Sequence, residues 1–279
     1  MTTFSAAQLQ QFERYLWKEE RAAATIDKYM RDVRAFLACY PENWDFTKET
    51  ILAYKKMLSE RYKSTSANST LVALNQFFAF CDCRDLQVKL FKIQRTPFRE
   101  KSKELTVDEY KKLVQAAKAK HNERLNLLIQ TICSTGIRVS EHRFITVEAI
   151  KTGSTRIANK GKERTVFLPP ELRQVLKKYC QEKQITAGPI FVTRNGTPMS
   201  RCNIWAEMKA LCNVANVAPQ KVFPHNLRHL FALTYYRLEK DIVRLADILG
   251  HTNIETTRIY TMTTDAECIR SLSRLHLLL

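Results

Sequence analysis

Apolar residues recur along the first hundred positions at steps of three and four. Ile26, Tyr29, Met30, Val33, Phe36, Leu37 and Tyr40 form one such series, which lays a hydrophobic stripe along a helix. Thr25 stands where an N-cap for that helix is expected. Ser5-x-x-Gln8 has the form of a capping box ahead of Leu9, Phe12 and Leu16, and two further helices are predicted over 47–62 and 66–80. All six glycines lie at or beyond position 136, so this first stretch lacks the most permissive turn residue and reads as helices joined by polar turns. The pattern predicts a four-helix unit over 1–95.

After residue 105 the pattern changes character. Thr106-x-x-Glu109 repeats the capping signature, and 124–133 is an apolar helix running into Thr135-Gly136. Weak alternation over 154–168 around Gly161 predicts a β-hairpin with Lys160 and Lys162 at its turn. Ile190 to Thr193 followed by Asn195-Gly196 gives a second short strand-and-turn signal. Helices resume after Pro169, Ser200, Pro224 and Asp241, the last stopped by Gly250 in a position suited to a C-cap. The expected fold class is therefore mainly α with a small antiparallel β-sheet. It divides into a helical bundle over 1–95, a linker over 96–104 and a mixed α/β domain over 105–279.

Charge narrows the partner. Forty-five Lys and Arg against 28 Asp and Glu leave +17 over 279 residues, which points to a polyanion, nucleic acid first and an anionic membrane surface second. No apolar run approaches the roughly 20 residues of a membrane span, and Met1-Thr2-Thr3-Phe4 lacks the basic-then-apolar layout of a signal peptide, so the expected location is the cytoplasm, with no membrane partner. Eight cysteines without a repeated C-x-x-C spacing suit reduced, packed thiols. Lys89, Lys92, Arg95, Arg99, Lys101 and Lys103 flank a single Pro97 and read either as a linker lying on a phosphate backbone or as a solvated basic loop.

The candidate chemistry lies in the second domain. Arg138, after a glycine turn, can offer two parallel donors to phosphate oxygens; a plain ion pair with Glu141 three residues on is the bland reading, and Glu141 can do both by orienting the arginine. His225 and Arg228 share a helix face near an N-terminus favourable to anions, with His229 as structural support. His251, next to the helix-ending Gly250, is expected to be exposed beside a turn. On the following segment Ile259 is expected to anchor in the core and leave the Tyr260 phenol projecting. His225 and His229 have i, i+4 spacing without an H-E-x-x-H glutamate, so no metal site is expected.

Taken together, Thr135-Gly136-Ile137-Arg138-Val139-Ser140-Glu141, His225-Asn226-Leu227-Arg228-His229, Leu249-Gly250-His251 and Tyr260 nine places on resemble the tyrosine recombinases, or phage-integrase family. Thr25-Ile26-x-x-Tyr29 is similar to that family's SAM-like core-binding domain. The resemblance implies a cofactor-free, metal-independent enzyme in which Tyr260 attacks a DNA phosphate to form a 3′-phosphotyrosyl bond and release a 5′-hydroxyl. Arg138 and Arg228 would clamp the non-bridging oxygens, with hydrogen bonds from His225 and His251, and His225 would accept the tyrosine proton. The family's hairpin lysine would be the general acid. Counting back five from the hairpin arginine, Arg164, reaches Asn159, so this chain departs by one place; Lys160 is assigned, with Lys162 as alternate.

Lys162 and Arg164 are further expected DNA contacts. His142-Arg143-Phe144 is less apolar than the family's continuation at that point. The tail Ile269, Leu272, Leu275 and Leu277-Leu278-Leu279 would dock on a neighbour in a homotetramer or pack on its own domain. The implied substrate is double-stranded DNA with inverted-repeat core sites, for integration, excision or dimer resolution, and an accessory DNA-bending protein has room in the scheme. An architectural DNA-binding protein of the same fold, or a relaxing enzyme like the type IB topoisomerases, are the competing readings.

Overall fold

The computed structural model describes residues 2–41, 44–93, 101–159, 162–261, 269–270 and 273–274. It falls into two compact units, Met1–Arg95 and Thr96–Leu279.

The N-terminal unit holds α1 (Ala6–Lys18), α2 (Ala23–Leu37), α3 (Lys48–Arg61) and α4 (Ser64–Phe80). At the start of α1 the Ser5 hydroxyl accepts the Gln8 N–H at 3.3 Å while Gln8 Oε1 accepts the Ser5 N–H at 2.8 Å. Helix α2 begins before Thr25, because the Thr25 N–H already donates to the Ala22 carbonyl at 2.7 Å and Ala22-Ala23-Ala24 is a run of strong helix formers. Without glycine, the tight turns fall to polar residues: Glu20 (φ 53°) and Asp82 (φ 58°) take the left-handed conformation. The core is aromatic, with Phe12, Phe36, Phe77 and Phe78 fully buried and Phe12 meeting Phe77 edge-on at 5.2 Å. The chain leaves this unit strapped to α4. Asn75 brackets the N–H and carbonyl of Val88, and Asn68 those of Phe91, all at 2.8–2.9 Å. Seven helical residues rise about 10.5 Å and three extended ones about 10 Å, so the two rungs match. Lys89 and Lys92 are exposed on this exit segment; Arg95 and Arg99 lie outside the described residues.

The C-terminal unit runs through α5 (Val107–Ala119), α6 (Glu123–Thr135), a 3₁₀ turn over Val139–Phe144, α7 (Val147–Thr152), β1 (Ser154–Asn159), β2 (Lys162–Phe167), α8 (Pro170–Glu182), α9 (Arg201–Lys209), α10 (Cys212–Ala215), α11 (Pro224–Glu239) and α12 (Ile242–Leu249). Thr106 and Glu109 close the expected capping box on α5. Helix α6 buries residues on every side, from Leu125 through Ile132, and forms the axis of the core. Strands β1 and β2 pair antiparallel with Ile157 opposite Arg164. The second strand signal resolves into a single bridge, Val192 to Pro198, around a closed turn with Gly196 at φ 74°; proline has no N–H with which to extend a ladder. Among the described residues no helix is long and apolar enough to cross a membrane.

Candidate active site

Two helix ends build the site. A helix leaves its last carbonyls without partners, and its dipole makes that end negative. Helix α6 ends at Gly136 in the left-handed region (φ 64°), where an added Cβ would fall 2.5 Å from the Phe231 ring, so only glycine fits. The Gly136 carbonyl accepts Arg228 Nη1 at 2.6 Å. Helix α12 ends at Gly250, and the Leu249 carbonyl accepts both Arg228 Nη2 at 2.7 Å and Arg164 Nη1 at 2.8 Å. Arg228 is thereby fixed by two helix C-termini and is only 2% exposed.

Glu141 supplies the counter-charge. Its Oε2 accepts the Arg138 backbone N–H at 2.7 Å and Arg164 Nη2 at 2.6 Å, and its Oε1 accepts Arg138 Nη1 at 3.0 Å. Three guanidiniums around one carboxylate leave two positive charges unbalanced within this group. Buried charge demands compensation, so the arrangement favours an anion in the cleft beside it. That cleft, about 1320 Å³, is lined by Arg138, Glu141, Arg164, His225, Arg228 and His251, among others. The Arg138 side chain is still about one-third exposed and presents its guanidinium to it.

Three expectations from the sequence, on His251, Ile259 and Tyr260, are corrected here. Arg164, expected as a DNA contact, turns inward and lines the cleft: along β2 it shares the inward face with Val166, while Glu163, Thr165 and Phe167 point out. Its role is to join Glu141 to the end of α12. His251 is half-buried rather than exposed, because Nδ1 lies 2.8 Å from Thr257 Oγ1 and Nε2 lies 3.2 Å from Arg228 Nη2. Tyr260 and Ile259 exchange places: Tyr260 is 3% exposed and Ile259 41%. The segment forms 3₁₀ turns of three residues each, which put Thr257 and Tyr260 on one inward face. The Tyr260 ring packs with Ala232, Leu233, Leu245 and Leu249 and meets the His229 ring at 5.0 Å.

His229 also lies 3.5 Å from Glu104, and Asn226 on the same helix donates to the Lys103 carbonyl at 2.9 Å. Lys103 is exposed; Lys160 lies outside the described residues, as do the side chains of Lys101 and Lys162. Sequence reasoning missed Thr257 and the inward turn of Arg164. The two-residue period shared by Arg164 and Val166 was a usable signal for the second.

The electrostatics follow from burial among like charges. Desolvation, then the Arg228 and Arg138 guanidiniums, lower His251 to about 4. The same causes lower His225, which projects from α11 into the cleft. Burial, then Arg138 and Arg164, press Arg228 down to about 10, so it stays charged at neutral pH. Burial raises the Tyr260 phenol, and the positive charges of Arg228 and Arg138 oppose that rise.

The model of the phage integrase family matches residues 103–267, and that of the phage integrase N-terminal SAM-like domain matches 9–82. Tyrosine recombinase XerA of Pyrococcus furiosus is 30% identical over 286 residues, covering 99% of this chain and 96% of that protein. Two solved structures share the fold. A lambda integrase dimer bound to a COC' core site superposes with TM-score 0.75 at 19% identity, over 93% of this chain and 95% of that one. A lambda integrase tetramer bound to a Holliday junction gives 0.72 at 19% identity, over 90% and 76%. The chain belongs to the phage integrase family and is a tyrosine recombinase, with a SAM-like N-terminal domain ahead of its catalytic domain.

Proposed function

We propose that this protein is a site-specific recombinase that cleaves and rejoins double-stranded DNA in the cytoplasm through a 3′-phosphotyrosyl intermediate. The observation that carries this reading is the group of Arg138, Arg164 and Arg228 around Glu141, two positive charges in excess, within one domain with Tyr260. A phosphodiester seated in the cleft would have its non-bridging oxygens held by Arg138 and Arg228, whose fixed charge stabilises the pentacovalent transition state. The Tyr260 oxygen attacks phosphorus in line and the bond to the 5′ oxygen breaks. The phenol proton passes to His225, and the leaving oxygen takes a proton from Lys160, with Lys162 as alternate. The guanidiniums supply the charge that a metal ion brings to other phosphoryl-transfer sites, so the reaction is proposed as metal-independent.

Tyr260 must leave its apolar cluster to react, so the conformation described is a resting one. That same burial is what favours the second reading, an architectural DNA-binding protein that holds sites without cutting them. Exposed Lys89, Lys92 and Lys103, together with Arg95, Arg99 and Lys101, are proposed to lie on the phosphate backbone. The substrate is proposed to carry inverted-repeat core sites. The lambda integrase tetramer on a Holliday junction supports assembly of four copies, for which the leucine-rich tail is the proposed contact. The proposed recombination serves integration or excision of a mobile element, or dimer resolution, with or without a DNA-bending partner.

A nicked suicide substrate carrying sites from the native locus tests the chemistry. Wild-type protein is expected to form an adduct that maps to Tyr260 and leaves a free 5′-hydroxyl, while Tyr260→Phe binds the same DNA and forms none. Tight binding with no adduct from the wild type would favour the architectural reading.

A further inference from the structure

We propose that Thr257 is a positioning residue that fixes the tautomer of His251 and ties that histidine to Tyr260. The inference begins with what each atom can do. A guanidinium nitrogen only donates. Arg228 Nη2 lies 3.2 Å from His251 Nε2, so Nε2 presents its lone pair there. The imidazole is then neutral, with its proton on Nδ1, and Nδ1 donates to Thr257 Oγ1 at 2.8 Å. The lowering of His251 by burial and by the surrounding arginines agrees with a neutral ring. Thr257 is completely buried, so its hydroxyl has no bulk water to offer the histidine an alternative.

The same residue reaches the tyrosine through its backbone. The Thr257 carbonyl accepts the Tyr260 N–H at 2.9 Å, on the shared inward face of the 3₁₀ turns. A change in how Thr257 sits therefore moves both groups. A consequence for the chemistry is that the cleft-side nitrogen of His251 is an acceptor in the free protein. It donates to a phosphate oxygen only after its proton moves from Nδ1 to Nε2 or the ring takes up a second proton, and Thr257 sets the cost of both. The effect on turnover rests on Tyr260 being the nucleophile; the tautomer assignment does not.

The test uses the full-length chain with ¹⁵N-labelled histidine, His251 being identified by its loss in His251→Gln. The expected wild-type spectrum has His251 protonated at Nδ1 and bare at Nε2. Thr257→Val keeps the shape and removes the hydroxyl. It is expected to give a mixed tautomer signal and a single-turnover adduct rate lower by roughly 10- to 100-fold, with DNA affinity within about twofold of wild type. Thr257→Ser restores the hydroxyl and is expected to recover the wild-type tautomer and most of the rate. An Nε2-protonated His251 in the wild type would overturn the proposal, as would a folded Thr257→Ser as slow as Thr257→Val. Should Thr257→Val fail to fold, the wild-type spectrum and the serine variant still decide. Because the tautomer is read on DNA-free protein, an adduct at another residue would remove Tyr260 as the nucleophile without touching the histidine assignment.

Discussion

In the N-terminal unit Phe12, Phe36, Phe77 and Phe78 are fully buried and pack ring against ring, whereas the enclosed part of the candidate site in the C-terminal unit holds Arg228, Arg164 and Glu141. Burying a ring removes apolar area from water and asks little about direction, so many arrangements of similar volume succeed. Burying a guanidinium asks for an acceptor at each donor and a counter-charge nearby, or the cost runs to several kcal/mol. The first region gets stability from volume. The second gets a shaped excess of positive charge, and it needs two helix ends and one carboxylate to hold it.

Three changes probe that contrast, beginning with the largest effect. Phe77→Ala, at a fully buried ring touching Phe4 and Phe12, is expected to destabilise the N-terminal unit by about 3–5 kcal/mol. Hydrogen exchange should show protection lost in the first 93 residues and kept on α6 and α11. Equal loss in both units would mean that the two cores are not separate. Glu141→Ala removes the shared partner of Arg138 and Arg164 and is expected to cost about 3 kcal/mol in the C-terminal unit. Glu141→Gln, which keeps an acceptor, should cost less. Denaturant midpoints that match the wild type for both variants would refute the role given to that carboxylate.

The smallest expected effect is on pH. His251 is lowered from 6.5 to about 4 in the folded protein, so between those values the unfolded chain binds the extra proton and stability falls as pH falls. The loss should be of order 1 kcal/mol once solvent access is allowed for. Thermal midpoints measured across pH 6.5 to 4 should slope downward in the wild type and less so in His251→Gln, and identical slopes would exclude His251 as the source.

The difference between the two regions also explains what could be read from the sequence. Ser5 and Thr106 announce their capping boxes, Gly250 its helix end, and the stripe from Ile26 to Phe36 its buried face, because each is a local preference expressed over a few residues. The pairing of Arg138 with Glu141 is local too, three residues apart. The inward turn of Tyr260 depends on Leu233, Leu245 and Leu249, which arrive from α11 and α12, so the local pattern does not announce it. The partners of Arg164 leave no local signature, since they lie 23 and 85 residues away.

The chain by itself determined the helical elements, the hairpin, the excess of positive charge and the set of residue types from which a phosphate site can be made. Periodicity, capping and turn chemistry act over one or two helical turns, and net charge needs no geometry at all. Only the tertiary structure decided which carbonyls receive Arg228 and Arg164, that His251 sits between Arg228 and Thr257, and that Tyr260 rests among leucines. These are hydrogen bonds and contacts between segments far apart in sequence, and their direction is fixed only when the packed helices bring the ends of α6 and α12 together around one guanidinium.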